Sequence, residues 1–299
     1  MQPLVRRAWL AQLEVLKEVD ALCRRHQIRY FAHWGTLLGA VRHRGFIPWD
    51  DDMDFAMLRK DYERFRYVAE KELPVGWRVI KVDPALIRVV NSREICLEQE
   101  FLDKYHGCPY IMGVDIFAMD DFPPDKTEQR ILANLFEAVS DLHGHWDTFE
   151  EDCREQEVSG EDKWERLREI EELTGCCLDP ALPIKEQLYD LGDHIAAMYW
   201  DMEYEEVTCV PWLYNRPEYH IPRSCLARTL EMPFENTTVP VPEDYDRLLR
   251  LCYGENYMTP FRERGGHDYP FFRDQIKLLQ SWFESQGMPM PEFFNMELA

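Results

Sequence analysis

Apolar positions recur at steps of three and four through Trp9, Leu13, Leu16, Val19 and Cys23. That spacing predicts an amphipathic helix near the N-terminus. Ile28 to His33 has strand character, and Leu37 to Arg42 predicts a short helix with Thr36 as its N-cap. Met53 to Met57 is apolar apart from Asp54, as a buried strand would be. Tyr62, Phe65, Ala69 and Leu73 mark the next helix, which Pro74 ends. Trp77–Val82, Ile87–Val90 and Ile95–Leu97 are expected strands, and Tyr110–Met119 a stronger one carrying a single acid, Asp115. Residues 127–207 look mostly helical and very acidic, the pattern of a solvated helical surface. From Cys209 the chain is Pro-rich and irregular, with a turn-like stretch around ENTTVPVPEDY. A last helix falls on Phe272, Ile276, Leu279 and Phe283. Strands with helices among them predict an α/β fold with a sheet flanked by helices.

Composition narrows the function classes. The chain has 299 residues, 45% hydrophobic, enough for a well-buried core. Its 56 acidic against 34 basic residues give a net charge of −22, which repels a nucleic-acid backbone and excludes general nucleic-acid binding. A small phosphate-bearing substrate remains admissible, because a cation and a few local basic groups can reverse the field inside one cleft. No apolar run reaches about 20 residues, so no integral membrane segment is expected. The nine cysteines are scattered and none has C-x-x-C spacing, which predicts reduced thiols in a cytoplasmic protein.

The chemistry gathers in PWDDDMDF, residues 48–55. In an extended chain Asp50, Asp52 and Asp54 point to one side. Like charges beside Met53 and Phe55 are tolerable if a divalent cation sits among them. Hard cations such as Mg2+ or Mn2+ take oxygen ligands, and Asp115, a lone acid in an apolar strand, is the natural third ligand beside Asp52 and Asp54. A solvated loop or helix cap would also account for a run of three aspartates. The apolar strand that follows disfavours it. An EF-hand loop fails because Phe55 stands where Gly is required and Asp61 where Glu is. Gly35 and Thr36 precede a short helix, whose first N–H groups favour an anion. An ordinary capped turn explains them as well. Arg42 and His43 are candidate phosphate contacts, as are Arg264 and His267 in FRERGGH, one of few basic spots in the chain. His143 and His145 read as surface histidines.

Together these residues resemble the LicD family, whose relatives include fukutin and the fukutin-related protein. The resemblance is carried by HWGTLLGAVRHRGFIPWDDDMDFAMLRKDYERF (33–65), GVDIFAMDDFP (113–123) and VPVPEDYDRLLRLCYGENYMTPFRERGGH (239–267). It implies a single nucleotidyltransferase-like domain over 1–299, with 127–207 a helical insertion or subdomain. In that fold a Gly-Ser or Gly-Thr turn precedes a D-x-D strand and a third carboxylate lies on a neighbouring strand. These map onto Gly35-Thr36, Asp52 with Asp54, and Asp115. The implied reaction moves phosphocholine or a related phospho-substituent from a CDP-activated donor to a hydroxyl of a glycan, lipid-linked glycan or teichoic-acid-type acceptor, releasing CMP. The acceptor proton would pass to Asp50 or Asp115. A lipid-linked acceptor would be met at the inner membrane surface. Where the family often has a Lys-containing motif before its second acidic strand, this chain offers Arg88 in LIRVVNS. Two rival classes fit the same residues: a nucleotidyltransferase releasing pyrophosphate, and a non-catalytic nucleotide- or glycan-binding protein.

Overall fold

A computed structural model describes residues 3–149, 162–261 and 270–291. These form two compact units, one of residues 1–80, 88–116 and 226–299, the other of residues 81–87 and 117–225. The architecture is mixed α/β, as the alternation of apolar periods predicts.

In the first unit, helix α1 (Pro3–His26) buries Trp9, Leu13, Leu16, Val19 and Cys23, the stripe expected from the sequence. Strand β1 (Phe31–Ala32) pairs antiparallel with β2 (Asp54–Leu58), Phe31 opposite Ala56. Helix α2 (Trp34–His43) lies between them in sequence, and α3 (Arg59–Glu72) follows β2 directly. The next strands are β3 (Arg78–Asp83), β4 (Leu86–Val90) and β5 (Gly113–Asp121), which continue the sheet in the order β1-β2-β5-β4-β3. β5 lies beside β2, with the Asp115 N–H donating to the Met53 carbonyl at 2.9 Å. Burial on both faces explains why β2 and β5 are apolar apart from their acids.

Ile95–Leu97, expected as a strand, is not one; Gln99–Lys104 forms a short helix, α4, instead. Thr36 is not an N-cap. α2 begins at Trp34, with His33 in the capping position and Thr36 inside the first turn. The stretch expected to be irregular contains an antiparallel hairpin. Glu235 and Asn236 connect β8 (Thr229–Phe234) to β9 (Thr237–Pro242). Pro233, Pro240 and Pro242 hide its alternation, yet a two-stranded ribbon has edges where proline costs no ladder bond. Its inner positions Phe234, Val239 and Val241 are fully buried. Helix α8 (Tyr245–Tyr253) follows, and α9 (Pro270–Ser285) closes the described chain as its apolar spacing predicts.

In the second unit, α5 (Lys126–His145), α6 (Lys163–Thr174) and α7 (Ile184–Ala196) bear out the helical reading of 127–207 over the described residues. Strands β6 (Glu206–Thr208) and β7 (His220–Pro222) extend from β5, with Asp121 opposite Val207. His143 is not a surface residue: it is 5% exposed and faces Asp83 at 3.4 Å. No helix among the described residues is long and apolar enough to cross a membrane.

Candidate functional site

The site is built on the loop between α2 and β2 and on the strands beside it, all within the first unit. Helix α1 fixes the loop from beneath. Trp9 Nε1 donates to the Asp50 carbonyl at 2.9 Å, and Gln12 Nε2 donates to the Asp51 carbonyl at 2.6 Å. Both donors are buried, so the loop backbone is held where water cannot compete. Trp9 also stacks on Phe46 at 4.6 Å between ring centroids, and Phe46 meets Phe234 of the hairpin. Glu235 at the hairpin tip accepts from the Phe46 N–H and from Arg6, so β8 and β9 brace the same loop.

The α2 turn is tied to β2 through two bonds. The His33 N–H donates to the Asp54 carbonyl at 2.9 Å, and the Asp54 N–H donates to Thr36 Oγ1 at 2.8 Å. Thr36 therefore positions the acidic strand itself. Gly35 is needed for a different reason. A Cβ there would overlap Asp50 Oδ2 and stand 3.2 Å from its Cγ, so the carboxylate of Asp50 rests against the start of α2. Trp34 adopts φ 40°, the left-handed region that a bulky residue enters only under constraint. Burial alone pushes the pKa of the fully buried His33 down to about 3, so its ring is neutral at this turn.

The carboxylates converge. Asp50, Asp51 and Asp52 present oxygens within 4.8 Å of one another, a group able to hold a metal ion. Asp50, Asp51, Asp54 and Asp115 are at most 8% exposed. The Asp54 carboxyl is held well above its ordinary pKa of 3.8, first by burial and then by Asp52, Asp115 and Asp50. Arg88 on β4 is the counterweight: its Nε and Nη2 reach the two oxygens of Asp115 at 2.5 and 2.6 Å. Asp115, Asp52 and Asp54 in turn hold the guanidinium charged. Tyr253, the last residue of α8, is 42% exposed and lies close enough to feel the carboxylates of the cluster. Desolvation, then Cys252 and the carboxylates of Asp54, Asp50 and Asp52, hold its hydroxyl protonated.

The structure thus brings together Gly35, Thr36, Asp50, Asp52, Asp54 and Asp115. Arg42 and His43 stand at the other end of α2, roughly 10 Å from Gly35 at 1.5 Å per residue. There Arg42 Nη1 donates to the Tyr257 carbonyl at 2.7 Å and its Nε to His43 Nδ1 at 3.3 Å. Arg264 and His267 lie outside the described residues. Trp9 belongs to the helix face expected from the sequence and Asp51 to the aspartate run, while Gln12 and Tyr253 join the site without having been singled out from the sequence. Of these two, only Gln12 left a signal there, as a polar side chain one residue before Leu13 on a helix otherwise apolar on that side.

The clustered oxygens of Asp50, Asp51 and Asp52 could hold a hard cation. Residues 27–100 match the family model described as LicD/FKTN/FKRP, nucleotidyltransferase domain. The chain is similar to the lipopolysaccharide cholinephosphotransferase LicD of Haemophilus influenzae, with 51% identity over 132 residues, 44% of this chain and 49% of that protein. An uncharacterized protein of Rickettsia typhi is 36% identical over 70 residues, 23% of each chain. One of Rickettsia prowazekii is 34% identical over 70 residues, 23% of this chain and 26% of that one. The chain spans about half the length, or less, of the curated relatives it matches. The stretch 27–100, which matches the LicD family model, holds the Gly35–Thr36 turn and Asp50 to Asp54.

Proposed function

We propose that this protein transfers phosphocholine, or a related phospho-substituent, from a CDP-activated donor to a hydroxyl of a glycan or teichoic-acid-type acceptor, releasing CMP. The observation that carries the proposal is Asp54, a buried carboxyl crowded by Asp52, Asp115 and Asp50. Burying like charges together costs stability, and the arrangement is retained where function needs it. The likeness to a protein named as a lipopolysaccharide cholinephosphotransferase supports phosphocholine as the first group to test. We read the fold as nucleotidyltransferase-like, since the Gly35–Thr36 turn, the acidic strand β2 and the acid-bearing neighbour β5 stand in that relation.

The residues fit a divalent cation. Asp50, Asp51 and Asp52 offer clustered oxygens and Asp54 borders them, so these four, with Asp115, would hold Mg2+ or Mn2+. When bound, the cation neutralises the donor diphosphate and the departing CMP oxygens. The chain's own groups do the rest. Gly35 leaves room for the Asp50 carboxylate against the start of α2, which keeps that acid beside the cation site. Asp115, with both oxygens engaged by Arg88, is a poor proton acceptor, which leaves Asp50 to take the proton of the acceptor hydroxyl. Tyr253, held protonated, is a hydrogen-bond donor for a phosphate oxygen. We place the reaction in the cytoplasm, with a lipid-linked acceptor met at the inner membrane surface.

The test is CMP release from CDP-choline with Mg2+, run beside CDP-ethanolamine, CDP-ribitol and CDP-glycerol, with lipopolysaccharide or teichoic acid as acceptor. CMP formed from one donor, and lost in Asp54→Asn, is the expected result. Pyrophosphate release from a nucleoside triphosphate in place of CMP would overturn the reaction class. Full activity in a folded Asp54→Asn protein would overturn the site.

A further inference from the structure

Arg88 and Asp115 form the tightest charged contact in the site. A guanidinium fork across both oxygens of one carboxylate is among the strongest side-chain pairs, and its geometry is not one that lysine reproduces. Here the fork meets Asp115 at 2.5 and 2.6 Å while Asp52 and Asp54 also act on Arg88. One arginine therefore answers three carboxylates. A divalent cation that takes Asp115 as a ligand competes with Arg88 for its oxygens and repels the guanidinium beside it. Its side chain is 36% exposed against 8% for Asp115, so Arg88 has an open side toward which to turn. Gly113 makes the room for its stem. A Cβ at 113 would lie 2.9 Å from Arg88 Cγ and 2.7 Å from the Val89 carbonyl, closer than packing allows.

We propose that Arg88 is a resident counter-ion, holding Asp115 in the metal-free protein and passing to the donor's phosphate oxygens when the cation enters. Metal and donor diphosphate then bind cooperatively, because each removes the partner that the other would have to displace. This inference rests on the metal- and donor-dependent reading above.

Calorimetric titration of the full chain with Mn2+ alone tests it. Arg88→Gln is expected to tighten Mn2+ roughly 5–150-fold, the usual range of a coupling between sites. Removing a positive charge would tighten a cation by its field alone, so the decisive comparison uses Asp115→Asn. In that background the gain from Arg88→Gln should shrink to the part due to the field alone, since Arg88 no longer competes for Asp115. Arg88→Lys keeps the charge and loses the fork, and it should also bind Mn2+ more tightly than the unaltered protein. It guards against a misfolded Gln variant. CDP, titrated in the presence of Mn2+, should bind Arg88→Gln more weakly. An equal gain in both backgrounds, or no gain from either substitution, overturns the inference and leaves the proposed reaction standing. Failure of the unaltered protein to bind Mn2+ overturns both.

Discussion

Strand β5 carries three buried acids, Asp115, Asp120 and Asp121, and the first and last met different fates. Asp115 and Asp121 are 6% and 8% exposed, and each is answered by an arginine, Arg88 for one and Arg223 for the other. Asp121 is otherwise served by the Tyr204 N–H, which donates to its Oδ1 at 2.7 Å. One carboxylate, one guanidinium and one amide close a local account, and such a pair fixes the entry to β6. Asp115 instead shares its arginine with Asp52 and Asp54. Burial of an acid is therefore not by itself a mark of function. The mark is crowding, several buried carboxylates acting on one another and on the same arginine.

The comparison breaks most visibly in turnover. Asp54→Asn and Asp115→Asn should each cut CMP release by on the order of a thousandfold or more while circular dichroism stays native. Asp121→Asn should leave turnover near that of the unaltered protein. The stability effects run the other way. Asp121→Asn weakens the acceptor for Arg223 and Tyr204 and should cost about 1–3 kcal/mol in urea unfolding. Asp54→Asn removes a like charge from a crowd and should raise the melting temperature of the metal-free protein.

Two smaller effects sharpen the contrast. Mg2+ or Mn2+ at 100 times its dissociation constant should stabilise the unaltered protein and Asp121→Asn by about 2.7 kcal/mol. A melt of Asp54→Asn that responds as strongly would argue against the carboxylate site. Gly35→Ala drives a methyl group into the Asp50 carboxylate; an overpacking cost of about 1–3 kcal/mol, with weakened metal binding, is expected from the same melts.

The gentlest test is pH. The Asp54 pKa is raised in the folded chain, so the native state binds a proton that the unfolded state has released above its ordinary 3.8. Stability from this group is full below that value and falls as pH rises through the folded pKa. The contribution of Asp54, read as the difference between the metal-free unaltered protein and Asp54→Asn, should therefore fall upward from about pH 4. Added Mg2+ should flatten that slope, because the ion replaces the proton. Urea midpoints across pH, with and without Mg2+, measure both.

Much of the site was legible because buried acids are rare in apolar runs. Met53–Met57 and Tyr110–Met119 announce buried strands by hydropathy alone, and a single acid in each is costly enough to stand out. The turn at Gly35–Thr36 was visible as a motif, but the work of Thr36 was not. Its hydroxyl meets Asp54, 18 positions away, and capping statistics know nothing of that partner. The β8–β9 hairpin was hidden by its prolines, and the buried nature of His143 by its place on an acidic helix. Nothing local marks Tyr253, which reaches the cluster only because α8 packs beside α2.

The sequence by itself determined which groups are charged, which stretches must be buried and that the two requirements collide at residues 50–54 and 115. Those properties are local: composition, spacing and the cost of an acid among apolar neighbours. Only the tertiary structure decided how the collision is managed. It brought Trp9 and Gln12 under the loop, rested Asp50 on Gly35 and gave the fork of Arg88 to Asp115. Each of those contacts joins residues 15 to 41 positions apart, and a contact at that range is set by how elements pack, which no local pattern encodes.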